Sequence, residues 1–309
     1  MPQSINPSRR KFVKKTLTTT AGAIAFPGLL PKTDSVVGAI PTPGNYSYNI
    51  TDEVRKFRKI DAYCTAEPNM EIADKLGIDR MFVGKPMRWL DWTPEEFRAA
   101  NDEMIALMQK YPGRVIGQIS VNPLFRKESL EEIDRCVDRG MVGSRLYYQA
   151  KINDPVYYPI IEKFAELQMI IFIHGEAEIG VGGYRMKYDV GRPPTISVPE
   201  DFAEAAERFP EAIFQFAHIG GGGDWEYMCK AFREFPNIYV DVGGSNNEEG
   251  MVDFAVECLG EDRVLFGTDN SYFQGVGKII SANLTDRQKQ KIFFDNYNVI
   301  LKKGGYHVD

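Results

Sequence analysis

Cysteine is sparse in this sequence and never occurs as a CxxC pair. Cys64, Cys136, Cys229 and Cys258 are scattered through 309 residues. That spacing excludes a cysteine zinc site and a disulfide framework. The four read as buried thiols acting as small hydrophobes. No apolar run approaches the ~18 residues that a transmembrane helix needs. A basic stripe is also missing. Net charge is −6; residues 1–32 carry +6, which leaves −12 on the remainder. An acidic body of that kind argues against nucleic-acid binding. No GxGxxG follows the first apolar run, so a dinucleotide fingerprint is absent. Histidine is rare, with only His174, His218 and His307.

What is present starts at the N-terminus. Ser8-Arg9-Arg10-Lys11-Phe12-Val13-Lys14 is followed by a mildly apolar, small-residue stretch up to Leu30. Paired arginines ahead of a weak apolar core resemble a twin-arginine export signal, which implies a periplasmic destination. Residues 1–30 are therefore assigned to the signal. Residues 31–56, rich in Pro, Gly, Thr and Ser near their start, are assigned to a linker, and 57–309 to one folded body.

In that body short apolar runs alternate with helical patterns. The runs are KIDAYCT (59–65), RMFVGK (80–85), RVIGQISV (114–121), GSRLYY (143–148), MIIFIHGE (169–176), IFQFAHIGG (213–221), NIYVDVGG (237–244) and RVLFGTDN (263–270). Between them, PEEFRAANDEMIALMQKY places Phe97, Met104, Ile105 and Met108 at helical spacing. Strict alternation implies a parallel sheet. Eight repeats in about 250 residues fit an α/β protein of the (β/α)8 TIM-barrel type, in a single domain. A doubly wound open sheet is the alternative.

In such a barrel the active site lies at the C-terminal ends of the strands. His174 ends the fifth run, His218 the sixth and Asp269 the eighth. One histidine on an apolar run is usually a satisfied core residue. Two of three, together with an aspartate at the same ends, form a sharper pattern. These three are the candidate catalytic residues. Tyr63, Lys85, Arg145 and Tyr147 point toward the same mouth, and a cation there needs a carboxylate partner, from the protein or a substrate. Arg185 lies in the long Gly-rich stretch 176–198, read as a lid with Tyr184 and Tyr188. Trp89 and Trp92 read as packing residues.

The segments IDAYCT, FIHGEAE, FAHIGGGGDW and LFGTDNSY together resemble the amidohydrolase superfamily, in the branch of the aminocarboxymuconate-semialdehyde and aromatic-acid decarboxylases and of pyrone-dicarboxylate lactonase. The resemblance covers about residues 57 to 302. It implies one divalent metal, zinc or manganese. The ligands would be a first-strand His-x-His, the fifth-strand histidine and the final aspartate. By position His174 and Asp269 match two of those four, and His218 matches the residue beside the metal. Tyr63 and Thr65 stand where both first-strand imidazoles belong. The resemblance also implies a small-molecule substrate and a homodimer.

Zinc takes His, Cys and carboxylate donors, three or four of them. Tyr63 as a phenolate, or Glu67 or Glu176 from nearby, would have to complete the set, whereas Cys64 lies on the opposite face of the strand. The site is therefore expected to be metal-poor or metal-free, with His218 and Asp269 sharing general acid–base duty. His174 or Tyr63 would polarise a carbonyl. Within the family that expectation favours hydrolysis of a small, carboxylated ester or lactone. A metal-dependent decarboxylase of an aromatic or unsaturated acid is one alternative. A catalytically inactive ligand-binding barrel is the other.

Overall fold

The computed structural model describes residues 49–65, 67–87, 92–176, 194–219, 224–244 and 246–309. The chain divides into two units, Met1–Ser47 and Tyr48–Asp309. The expected signal, most of the expected linker, Trp89, Ser245, and Tyr184, Arg185 and Tyr188 in the expected lid lie outside the described residues. The end of the expected linker is helical. Helix α1, Ile50–Arg55, is capped by the Asn49 side chain and buries Val54.

Strands β1 (Lys59–Cys64), β2 (Ile78–Val83) and β3 (Val115–Gly117) form one parallel sheet. Strands β4 (Ile170–His174), β5 (Ile213–Ala217), β6 (Ile238–Asp241) and β7 (Val264–Leu265) form a second. Two seams join them into a barrel. On one side the fourth apolar run bridges β3 and β4. Arg145 N–H donates to Ile119 O at 2.8 Å, Leu146 N–H to Phe172 O at 2.9 Å, and His174 N–H to Leu146 O at 3.2 Å. On the other side Ala62 N–H donates to Phe266 O, and Thr268 and Asp269 N–H both donate to Tyr63 O. The expected fourth strand is thus present as hydrogen bonding, although residues 143–148 form isolated bridges and not a continuous ladder.

Helices cover the outside because each has one apolar stripe. Pro94–Lys110, here α2, starts with Thr93 and Glu96 in a capping box and buries Phe97, Ala100, Met104 and Ile105 against the sheet. The barrel interior needs side chains that fill it, and parallel strands covered on both faces read as apolar runs. All six residues of β1 are buried.

One polar group inside holds the second seam. Asp61 accepts from Thr268 N–H at 3.0 Å, Thr268 Oγ1 at 2.5 Å, Tyr63 N–H at 3.1 Å and Cys64 Sγ at 3.0 Å. That contact with Cys64 departs from strict strand alternation. The cause is a register shift between Asp61 and Cys64, where β1 carries an extra residue against β2.

Burial pushes the Asp61 carboxyl up to about 7, against four hydrogen bonds that favour the anion. Its ordinary value is 3.8. Between those values the folded chain holds a proton that the unfolded chain lacks. The stability from this group is therefore fully present below about pH 4 and is lost as pH rises to about 7. Asp61→Asn keeps an acceptor and a donor without the buried charge. It is expected to match or exceed the parent at about pH 8 and to flatten the pH profile. Asp61→Ala strands the Thr268 groups and is expected to lose ~1–3 kcal/mol. Urea unfolding of the three chains across that range checks this; equal slopes in parent and Asn variant would refute it.

Candidate active site

The barrel mouth collects most of the polar residues picked from the sequence. His174 is the last residue of β4, and His218 follows β5 directly. Their rings stand 5.6 Å apart, centre to centre. The Tyr63 ring meets His218 edge-on at 4.3 Å. Tyr147 stacks on His174 at 5.6 Å. Asp269 lies past β7, with one carboxylate oxygen 4.0 Å from His218 Nε2. The residues Asp269 and Asn270 have φ of 48° and 63°, and that left-handed turn swings both side chains over β1. The Thr65 hydroxyl is 3.1 Å from Asp269 Oδ1 and 2.9 Å from Asn270 Oδ1, and its single proton serves one or the other.

His218 is held from behind. Its Nδ1 lies 2.8 Å from Asp241 Oδ1, at the end of β6. A buried carboxylate there accepts, so Nδ1 carries the proton and Nε2 faces the mouth. Burial alone would raise the Asp241 carboxyl. The His218 imidazole, the Gln215 amide and Gly243 N–H outweigh it and keep the group below the ordinary carboxylate value. The GlyGly that follows leaves room for this pairing. A Cβ at Gly243 would stand 2.7 Å from His218 Nδ1, and one at Gly244 2.7 Å from its Cδ2. Lys278 Nζ fastens the same turn from outside, donating to Val242, Gly243 and Gly244 O.

His174 has different surroundings. Its Nε2 is 3.3 Å from Glu176 Oε1, and among the described residues Nδ1 has no partner. Burial holds the imidazole below its ordinary value, Glu176 opposes, and His218 and Arg145 add to the lowering.

Arg145 and Tyr147 sit beneath the rings. The guanidinium carbon is 3.8 Å from the Tyr63 ring centre and 4.3 Å from that of Phe172. Nη2 donates to the Tyr147 hydroxyl at 3.1 Å. Lys85 pairs with Glu103, with 39% of its side chain exposed, and lines a cleft with Thr65 and Glu67. Glu67 pairs with Lys110 and Tyr111. Lys151, just past the fourth run, pairs with Asp201.

The sequence reading gave Asp241 no role. The available signal was an acid ending an apolar run on the strand next to that of His218. Thr65 as a partner of Asp269 was also missed, because it was weighed only as a metal ligand.

Comparison with known proteins places this geometry in a family. The profile described as Amidohydrolase matches residues 71–296. A 2-amino-3-carboxymuconate-6-semialdehyde decarboxylase from Dictyostelium discoideum is 24% identical over 274 residues, 76% of this chain and 74% of that protein. Among solved structures, 2,6-dihydroxybenzoate decarboxylase from Rhizobium is 18% identical with a TM-score of 0.63, covering 80% of this chain and 99% of that one. A dihydroxybenzoic acid decarboxylase from Polaromonas with bound manganese and the inhibitor 2-nitroresorcinol is 18% identical, TM-score 0.60, covering 80% and 97%.

These relatives correct the expectation of ester or lactone hydrolysis, because they are decarboxylases. The expectation rested on the missing first-strand imidazoles, taken as the loss of the metal that the family's decarboxylases use. The buried guanidinium beside Tyr63 shows that a positive charge is still built in.

A divalent metal like that of the manganese-bound neighbour does not fit the donors described here. Among the described residues no three His, Cys, Asp or Glu side chains cluster as a metal site. Burial pushes the Tyr63 hydroxyl well above its ordinary value, against the pull of Arg145, which disfavours a free phenolate there. Glu67 is committed elsewhere.

The packing around His218 is testable. Gly243→Ala is expected to destabilise the fold by ~1–3 kcal/mol, since the new methyl overlaps the imidazole. It should also abolish the low-field Nδ1–H proton resonance of the His218–Asp241 pair. Urea unfolding and proton NMR check both; an unchanged resonance would show that the turn is not what seats the ring.

The profile match begins at residue 71, past β1 and the Tyr63 and Thr65 positions, and runs through the rest of the barrel; on it the chain belongs to the amidohydrolase family.

Proposed function

We propose that this protein is a carboxy-lyase that removes CO2 from a small aromatic or unsaturated acid. The observation that carries the reading is the alignment of Asp241, His218 and Asp269. One imidazole nitrogen is fixed by a buried carboxylate, and the other faces a second carboxylate across 4.0 Å at the mouth. That separation is longer than a hydrogen bond, so the two groups are not bonded to each other and both can face a substrate atom or a water at the mouth. Decarboxylation of such an acid needs a proton on the carbon that bears the carboxylate. The carbon–carboxylate bond then breaks, its electron pair returns to the ring or double bond, and CO2 leaves. His218 Nε2 and Asp269 are positioned to hold and deliver that proton, and Asp241 stabilises the imidazolium that carries it. The names of the relatives support the same reaction class.

The test is CO2 release, followed by mass spectrometry, from a panel of aromatic and unsaturated acids that includes 2,6-dihydroxybenzoate. In D2O one deuterium should appear on the vacated carbon. His218→Asn and Asp269→Asn are each expected to cut turnover by at least ~100-fold. Release that survives both substitutions, or no release from any acid, would overturn the proposal.

We also propose that the chain is exported, on the strength of the paired arginines Arg9 and Arg10 ahead of a weakly apolar stretch. Replacing both by lysine is expected to retain the protein in the cytoplasm, as cell fractionation would show; unaltered export would sink the idea.

A further inference from the structure

We propose that the buried guanidinium of Arg145 replaces a divalent ion as the positive charge of this site, and that it draws a substrate carboxylate to the mouth with no metal bound. The idea rests on the carboxy-lyase reading only for the choice of ligand.

Arg145 is 0% exposed. Among the described residues its Nε and Nη1 find no hydrogen-bond acceptor, and only Nη2 is used, by the Tyr147 hydroxyl. No carboxylate of a described residue forms an ion pair with it. A buried, unpaired charge is costly, and proteins ordinarily pair it or leave it out. Here aromatic faces offset part of the cost. The guanidinium carbon lies within 5.5 Å of three ring centres, those of Tyr63, Phe172 and Tyr147. The compensation is incomplete, since π-faces carry no net charge. Asp269 attracts the guanidinium without forming an ion pair with it, and among the described residues a ligand anion can still pair with it.

The surroundings are shaped for this cation. A Cβ at Gly84, just past β2, would lie 2.5 Å from Arg145 Cγ, so only glycine admits the arginine stem. Tyr63 stands at the first of the two imidazole positions, and its ring covers the guanidinium on one side and meets His218 on the other. Thr65 stands at the second, where its hydroxyl offers Asp269 Oδ1 a hydrogen bond in place of a metal bond. The two replaced positions and the arginine therefore act together. One ring shields the charge, one hydroxyl lies within hydrogen-bond reach of the Asp269 and Asn270 oxygens, and the guanidinium supplies the cation. A second cation beside His174 and Asp269 would be repelled by it. Arg145 acts from below the rings, so it is a positioning residue for the anion and not a catalytic one.

The test uses the purified full chain, expressed with added zinc or manganese. Metal content is read by plasma mass spectrometry. Binding of 2,6-dihydroxybenzoate and of its neutral amide is read by calorimetry, with and without EDTA. The chain is expected to hold far less than one metal per molecule, and EDTA should leave carboxylate binding unchanged. Arg145→Met should weaken the carboxylate by at least ~10-fold and leave the amide unaffected, and Arg145→Lys should recover most of the loss. A charge-selective loss rescued by lysine separates this role from simple packing, even if the methionine variant melts lower. In the Tyr63→His, Thr65→His double variant zinc should stay weakly bound while Arg145 is present, and bind once Arg145→Met is added. A stoichiometric metal in the parent, carboxylate binding abolished by EDTA or absent, no effect of Arg145→Met, or tight zinc in the double variant would each overturn the proposal. A carboxylate that binds well but never loses CO2 would sink the carboxy-lyase reading alone.

Discussion

The seam between the first strand and the last is the contact on which the site depends. Asp61 reaches from β1 to both the N–H and the hydroxyl of Thr268, and Tyr63 O shares that same N–H and takes the N–H of Asp269. A barrel closes only if its first and last strands meet in one register. Here a buried carboxyl that accepts from both strands helps to fix that register. The next residue along the chain is Asp269, and Thr65 meets it from β1. Closing the sheet and bringing these two side chains together are thus one event.

Around that seam the polar residues divide into those that face the mouth and those that support them. His218 faces it, while Asp241, Gln215, the GlyGly turn and Lys278 stand behind the imidazole in successive layers. Each layer removes a degree of freedom, so the ring needs little reorganisation to hold a proton at Nε2. His174 has one carboxylate beside it and no support at Nδ1 among the described residues. The two histidines are alike in the sequence, yet their surroundings suit them to different work.

Much of the fold was legible because periodicity is local. Eight apolar runs and their helices follow from spacing alone, and parallel strands place their ends on one side. His174, His218 and Asp269 could be found because they end strands, where direction is set by the barrel. Side chains beyond strand ends are set by tertiary partners, and there the reading failed. Lys85 looks like a mouth residue by position, but its pairing with Glu103 on α2 was not foreseen. The bulge that joins Asp61 to Cys64 cannot be seen in an alternating pattern. Asp241 was visible as a residue but not as a partner, because its role comes from the neighbouring strand. The inference from missing imidazoles to hydrolysis failed for a related reason. It counted donors along β1 and did not foresee what the bridging segment would bring beside them.

A guanidinium is part of the chain, and this has a consequence for how the protein matures. A bound ion must be acquired, can be exchanged for another, and is present only in proportion to its supply. Arg145 is installed by translation, one per molecule, and it stays protonated at any pH a cell reaches. Its charge therefore arrives at the mouth in the same step that buries Tyr63 and Phe172 around it. On the metal-free proposal the charge of the site is in place as soon as the chain folds, and no loading step stands between a folded molecule and a complete one.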